Sequence, residues 1–228
     1  SVETMTDIPQ WQIEKMKHRV EVIPARIHIA SGAPDAMKGV DQKKLAQVSM
    51  KTYPIMKPYI DAMEGKDQWC IAAIPSVKWA KKVFPNDSKK AAVEKLWEAI
   101  LKVSRVDDDP IKAWNDHNAN LANKCAVLNE LELTCLEYTN SLGTNLKIEL
   151  APTNYWLAGE EITTETKIRF NPNIPTEEVF GMPKLDGVNG IVYSALPLSY
   201  RGELIENFSI RFENGGAVEV HAEKGEKL

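Results

Sequence analysis

One feature limits this chain more than any other: the spacing of its apolar residues changes from about 3.6 to 2 near residue 130. Before that point, Val93, Leu96, Trp97, Ile100 and Leu101 recur at helical intervals behind Asp87-Ser88, either of which can cap a helix. A second helix opens at Asp109-Pro110, a capping residue followed by proline at the first helical position, and places Ile111, Trp114, Leu121, Cys125 and Leu128 on one stripe ending near Asn129. QWQIEKMKHRV reads as a further helix, Arg26–Ala30 as a short strand, and Asp41–Met63 as one or two helices broken near Pro54 and Pro58. Trp69–Ile74, apolar throughout, reads as a strand buried on both faces, as a parallel sheet requires.

After residue 130 the alternation is strand-like. Leu133–Tyr138 and Asn145–Leu150 join through Gly143, and Leu204–Phe212 and Ala217–Ala222 through Asn214-Gly215-Gly216, a strong hairpin signal. Strands segregated behind helices predict an α/β part over residues 1–130 and a β-rich, mainly antiparallel part over residues 131–228, hence mixed α and β in two parts. The final HAEKGEKL has the composition of a helix beginning.

Charge narrows the function. The chain has 28 Lys/Arg against 32 Asp/Glu, net −4, without the basic footprint of nucleic-acid binding. Residues 151–228 hold 7 basic against 12 acidic side chains, an acidic region suited to cations. Cys70, Cys125 and Cys135 match no zinc knuckle or redox pair, which fits a reducing compartment. The longest uncharged apolar run, Gln68–Val77, is too short to span a bilayer, so no membrane is expected.

Among candidates for chemistry, no two of His18, His28, His117 and His221 sit at the i, i+4 spacing that pairs imidazoles on a helix. His117, three residues after Trp114 at the stripe's margin, reads as a hydrogen-bonded structural histidine, and His221 as a solvated strand residue. Cys125 and Cys70 read as packing residues, and a cysteine hydrolase built on Cys135 and His221 is a weaker reading. Of six tryptophans, three sit at helical or buried-strand positions that explain them as core, while Trp156, in PTNYWLAG, is the candidate for a surface platform. The Asp107-Asp108-Asp109 run adjoins a helix N-terminus, where dipole and capping account for it. In FNPNIPTEEVF (Phe170–Phe180), two prolines hold an irregular extended run that presents Glu177 and Glu178. A carboxylate there can ligate a divalent cation, although residue type alone favours two solvated glutamates.

IAAIPSVKWAKKVFP (Ile71–Pro85), AVEKLWEAI (Ala92–Ile100), DPIKAWNDH (Asp109–His117), FNPNIPTEEVF, PLSYRGELIENFSIRF (Pro197–Phe212) and AVEVHAEKGEKL (Ala217–Leu228) resemble, in order, the thermophilic-type metallo-aminopeptidases: aminopeptidases S, T and II. The resemblance implies a cytoplasmic, typically dimeric exopeptidase that acts on peptides through two divalent ions, zinc or cobalt with manganese as a further option. One ion would activate water and the other hold the amine or carbonyl. It assigns a metal ligand to Glu177 or Glu178, leaving open which, and no catalytic residue. At least one of the two is expected to face an open groove rather than a neutralising salt bridge. The family's other ligands come from a segment beyond Leu228, and Ser1–Trp11 resembles a stretch inside its first domain. The sequence thus reads as an internal fragment lacking both ends, inactive alone and without tightly bound metal. Gly181 stands where the family usually has Thr, and Asn145 where it has Asp. The alternative is a non-catalytic homologue or oligomerisation module.

Overall fold

The computed structural model describes residues 1–106, 108–200 and 202–227. Along the chain run α1 (Val2–Thr6), α2 (Gln10–Val22), β1 (Arg26–Ala30), α3 (Gln42–Met63), β2 (Trp69–Ala73), α4 (Val77–Val83), α5 (Lys89–Val103) and α6 (Pro110–Glu130). Then follow β3 (Cys135–Thr139), β4 (Asn145–Leu150), β5 (Leu157–Ala158), β6 (Glu161–Ile162), β7 (Arg169–Phe170), β8 (Asn173–Ile174) and β9 (Val179–Phe180). The last elements are β10 (Pro183–Tyr193), β11 (Leu198–Tyr200), β12 (Glu203–Glu213) and β13 (Gly216–Lys224). The expected mixed class, helices first and a mainly antiparallel sheet after, is the fold.

Capping chemistry sets the helix starts. The Ser88 hydroxyl accepts from the Ala91 amide to open α5, and the Asp109 carboxylate accepts from Lys112 with Pro110 at the first helical position of α6. Residues Asp41–Met63 form one helix, not two. Pro54 and Pro58 each remove an amide donor, but both are exposed, so the Met50 and Pro54 carbonyls left without partners lie on the solvated side.

Two compact units share the chain. The first takes residues 1–32, 39–104 and 160–175; the second takes 33–38, 105–159 and 176–228. The change of period at residue 130 marks a change of secondary structure, whereas α6 groups with the strands that follow it and residues 160–175 group with the earlier helices.

In the first unit β1, β2 and β8 make a parallel sheet, with Arg26 opposite Trp69 and Ile71 opposite Asn173. Ala80, Ala92, Leu96 and Ile100 form the core, with Ala73, Trp79, Phe84 and Val93 packed around it. The expectation that Trp69–Ile74 is buried on both faces is corrected: its residues are half-buried and Ile71 is 40% exposed, because the α4–α5 core reaches only Ala73 at the strand's end. Asp67, almost fully buried, pairs with Arg26 at the start of the sheet.

In the second unit β3, β4, β10, β12 and β13 form successive antiparallel neighbours, and β11 also pairs with β12. Asn214 and Gly215, with φ of 47° and 79°, make the β12–β13 hairpin turn that the Asn-Gly pair predicts. The final residues correct another expectation: His221–Lys224 continue β13, and the chain turns at Gly225 instead of starting a helix. Trp156 is also corrected. It is 9% exposed and packs with Cys125 and Leu150 in the core. The Asn129 side chain holds it there, accepting from the Trp156 amide at 2.9 Å and donating to its carbonyl at 3.3 Å.

Candidate carboxylate site

The second unit brings α6 beside the residues that lead into β9. Helical spacing puts Trp114, His117, Leu121 and Cys125 on one stripe, and His117, Leu121 and Cys125 are buried. The His117 Nε2 atom lies 2.7 Å from the Thr176 carbonyl. A carbonyl oxygen can only accept, so Nε2 carries the proton. The same nitrogen is 3.7 Å from the Glu177 carboxylate. His117 is thus the hydrogen-bonded histidine expected, and its partner is the residue before the glutamate pair.

Arg105 completes this arrangement. Its guanidinium forms an ion pair and hydrogen bond with Glu177 and stands 5.7 Å from the centre of the Trp114 ring. Trp114 meets His117 edge to face, the ring centres 5.6 Å apart and the planes at 82°. The hydrogen bond from the Arg105 guanidinium lowers the Glu177 carboxyl from its ordinary value; burial opposes it, and the charges of Arg105, His117 and Lys124 add to the lowering.

The two glutamates therefore differ. Glu177 is ion-paired, although its side chain is 68% exposed. Glu178 is exposed, and its carboxylate has no hydrogen bond or ion pair among the described residues; only its amide is engaged, donating to the Thr176 hydroxyl at 3.2 Å. Val179 packs onto the core of Cys125, Leu150 and Trp156, and with Asn123, Lys124, Val127 and Leu128 lines an apolar groove of about 510 Å³. A larger cavity of about 840 Å³, whose walls include Glu132, Cys135, Lys147, Glu149 and Tyr155, does not include either glutamate.

Other expected residues are not brought together. Cys135 on β3 and His221 on β13 lie four strand spacings apart in the sheet order, roughly 19 Å at the usual interstrand distance, too far for a nucleophile and its base. His221 is exposed and pairs with Glu226 at 2.8 Å. Burial pushes the Cys70 and Cys125 thiols up, as packing cysteines should be. Asp107 lies outside the described residues, and Asp109 is a helix cap. Gly181 has a steric reason: a Cβ there would come within 2.6 Å of the Asn154 Oδ1, which accepts the Met182 amide.

The fit of these residues to a metal ion is partial. Among the described residues no three His, Cys, Asp or Glu side chains converge to hold one. His117 Nε2 is committed to a carbonyl and Glu177 to Arg105, so neither is free to ligate a metal as it stands.

Comparison with known proteins places the chain in a family. A family described as thermophilic metalloprotease (M29) matches residues 1–228. The chain belongs to the M29 family. Within it, aminopeptidase AmpS of Bacillus subtilis (strain 168) is 39% identical over 228 residues, covering 99% of this chain and 55% of that protein. Aminopeptidase 2 of Geobacillus stearothermophilus is 37% identical, covering 98% and 54%. The solved structure of wild-type AmpT from Thermus thermophilus superposes with a TM-score of 0.85 at 35% identity, over 99% of this chain and 55% of that one. The chain therefore spans about half the length of the curated M29 relatives it matches. Among the described residues no helix is long and apolar enough to cross a membrane.

Sequence reasoning missed Arg105 and Asn129. Arg105 is the first residue after the capping Ser104 of α5, with φ of 56°, a left-handed conformation in which glycine is the usual residue. A helix that runs out without a glycine is the one local signal that this position is unusual.

Proposed function

We propose that the whole protein containing this chain is a metal-dependent aminopeptidase that removes N-terminal residues from peptides. The carrying observation is the match of the M29 family to residues 1–228, with similar members named aminopeptidases. The reading includes two divalent ions, zinc or cobalt with manganese as a further option, peptide substrates, a cytoplasmic location and a homodimer. It assigns residues 1–130 to part of an N-terminal domain and residues 131–228 to the start of the catalytic, metal-binding domain.

Within this chain one of Glu177 and Glu178 supplies a metal ligand. Glu178 is the better candidate, because a carboxylate without a counter-charge is open to a cation, whereas a metal at Glu177 would compete with Arg105. Among the described residues no three ligating side chains converge, so this reading draws further ligands from the rest of the whole protein and expects no turnover from residues 1–228 alone. The apolar groove beside Val179 supports a peptide substrate, since it can receive an apolar side chain close to the glutamates.

The test is hydrolysis of an aminoacyl-aryl amide by the whole protein after chelation and readdition of zinc, cobalt or manganese, alongside residues 1–228, Glu177→Gln and Glu178→Gln. Metal-restored turnover in the whole protein, lost in Glu178→Gln, is the expected result. Full activity in both glutamate variants overturns the ligand assignment, and turnover by residues 1–228 overturns the need for further ligands. A whole protein inactive with every metal would favour the non-catalytic homologue.

A further inference from the structure

We propose that Arg105 and His117 are positioning residues, which clamp Thr176 and Glu177 against α6 so that the adjacent Glu178 is presented in one direction. This inference rests on the reading of Glu178 as the working carboxylate.

The clamp grips the segment at its backbone and at a side chain. His117 Nε2 donates to the Thr176 carbonyl at 2.7 Å, and the Thr176 hydroxyl accepts the Glu178 amide at 3.2 Å, so the residue that His117 holds in turn holds the backbone of Glu178. Arg105 takes the Glu177 carboxylate. Trp114 braces both, its ring beneath the Arg105 guanidinium and its edge arrangement against His117.

Stability alone does not explain this construction. An ion pair whose acid is 68% exposed is screened by water and contributes little to stability. Against this, Arg105 adopts a left-handed backbone at φ 56°, which crowds the Cβ of a non-glycine residue. A polar imidazole also occupies a buried stripe position where leucine would pack. Costs of this kind persist where surrounding contacts over-determine a geometry, and they cluster at functional sites. The segment so held carries the one carboxylate of the pair left unpartnered among the described residues, and displacement of a reacting group by about 1 Å can cost 100-fold in rate.

The experiment compares His117→Leu, His117→Gln, Arg105→Gln and Glu178→Gln in the whole protein, by steady-state kinetics, by thermal unfolding, and by hydrogen exchange of residues 176–180 without added metal. The Gln amide at position 117 can place an N–H near the imidazole Nε2; Leu cannot. His117→Leu and Arg105→Gln should lower kcat by about tenfold to 100-fold with KM nearly unchanged and speed exchange at 176–180, and His117→Gln should recover most of both. A fall in unfolding temperature with kcat and exchange unmoved overturns the clamp, and so does a His117→Gln variant as impaired as His117→Leu. Should His117→Leu fail to fold, Arg105→Gln carries the same comparison. Retained activity in Glu178→Gln strikes instead at the reading beneath, while exchange at 176–180 still decides whether the clamp exists.

Discussion

Helices α5 and α6 look alike in sequence and serve different ends. Both begin at a polar cap and carry an apolar stripe at helical spacing. The α5 stripe buries Ala92, Leu96 and Ile100 against Ala80, an aliphatic core with nothing to titrate. The α6 stripe buries Leu121 and Cys125 in the same way, but one turn earlier it buries His117, which reaches a carbonyl 59 residues further along the chain. Periodicity therefore tells which positions face inward and nothing about whether they pack or hold another segment in place. The buried member that hydrogen-bonds across a long sequence separation separates the two cases.

The largest test of this contrast removes aliphatic bulk from each helix. Leu121→Ala and Leu96→Ala, at positions almost wholly shielded from water, should each cost about 2–5 kcal/mol in denaturant unfolding. Leu96→Ala should leave exchange at residues 176–180 unchanged; an effect there would break the division of labour. Next in size come the caps. Asp109→Ala and Ser88→Ala should each cost about 1 kcal/mol, with only Asp109→Ala also loosening the first turns of α6 that carry Trp114 and His117, as peptide-resolved exchange would reveal. The smallest effect is a solvated counterpart of the buried stripes. The Ala222 amide, and to a lesser degree His221, hold the Glu226 carboxyl below its ordinary value near 4.5. Its folded value is depressed, so its contribution is present above about pH 4.5 and lost as pH falls through the lower folded value. Unfolding of Glu226→Gln followed across that acid range should show a flatter pH dependence than the parent.

What was legible in the sequence was local. Ser88, Asp109 and the Asn214-Gly215 turn act on residues within a few positions of themselves, and each element starts or turns where they predict. Pro54 and Pro58 misled because a proline's cost depends on which side of the helix its missing donor falls, and here it falls outward. Trp156 misled because the Cys125 it packs with and the Asn129 side chain that fixes its backbone both lie on α6, the latter 27 residues away. At the candidate site the glutamate pair was visible through its family likeness, yet the difference between its members was not. That difference comes from Arg105, 72 residues from Glu177, and no spacing rule links them.

The division of the chain between its two units also has a genetic consequence. Reading from one end, the polypeptide passes from one unit to the other after Gly32, Lys38, Ser104, Gly159 and Pro175. Each unit is thus encoded by three separate stretches of the reading frame. No single recombination breakpoint can part the two units cleanly, and a crossover anywhere between codons 33 and 175 would mix sequence from both parents within both. Only an exchange of the whole stretch passes both units on unmixed.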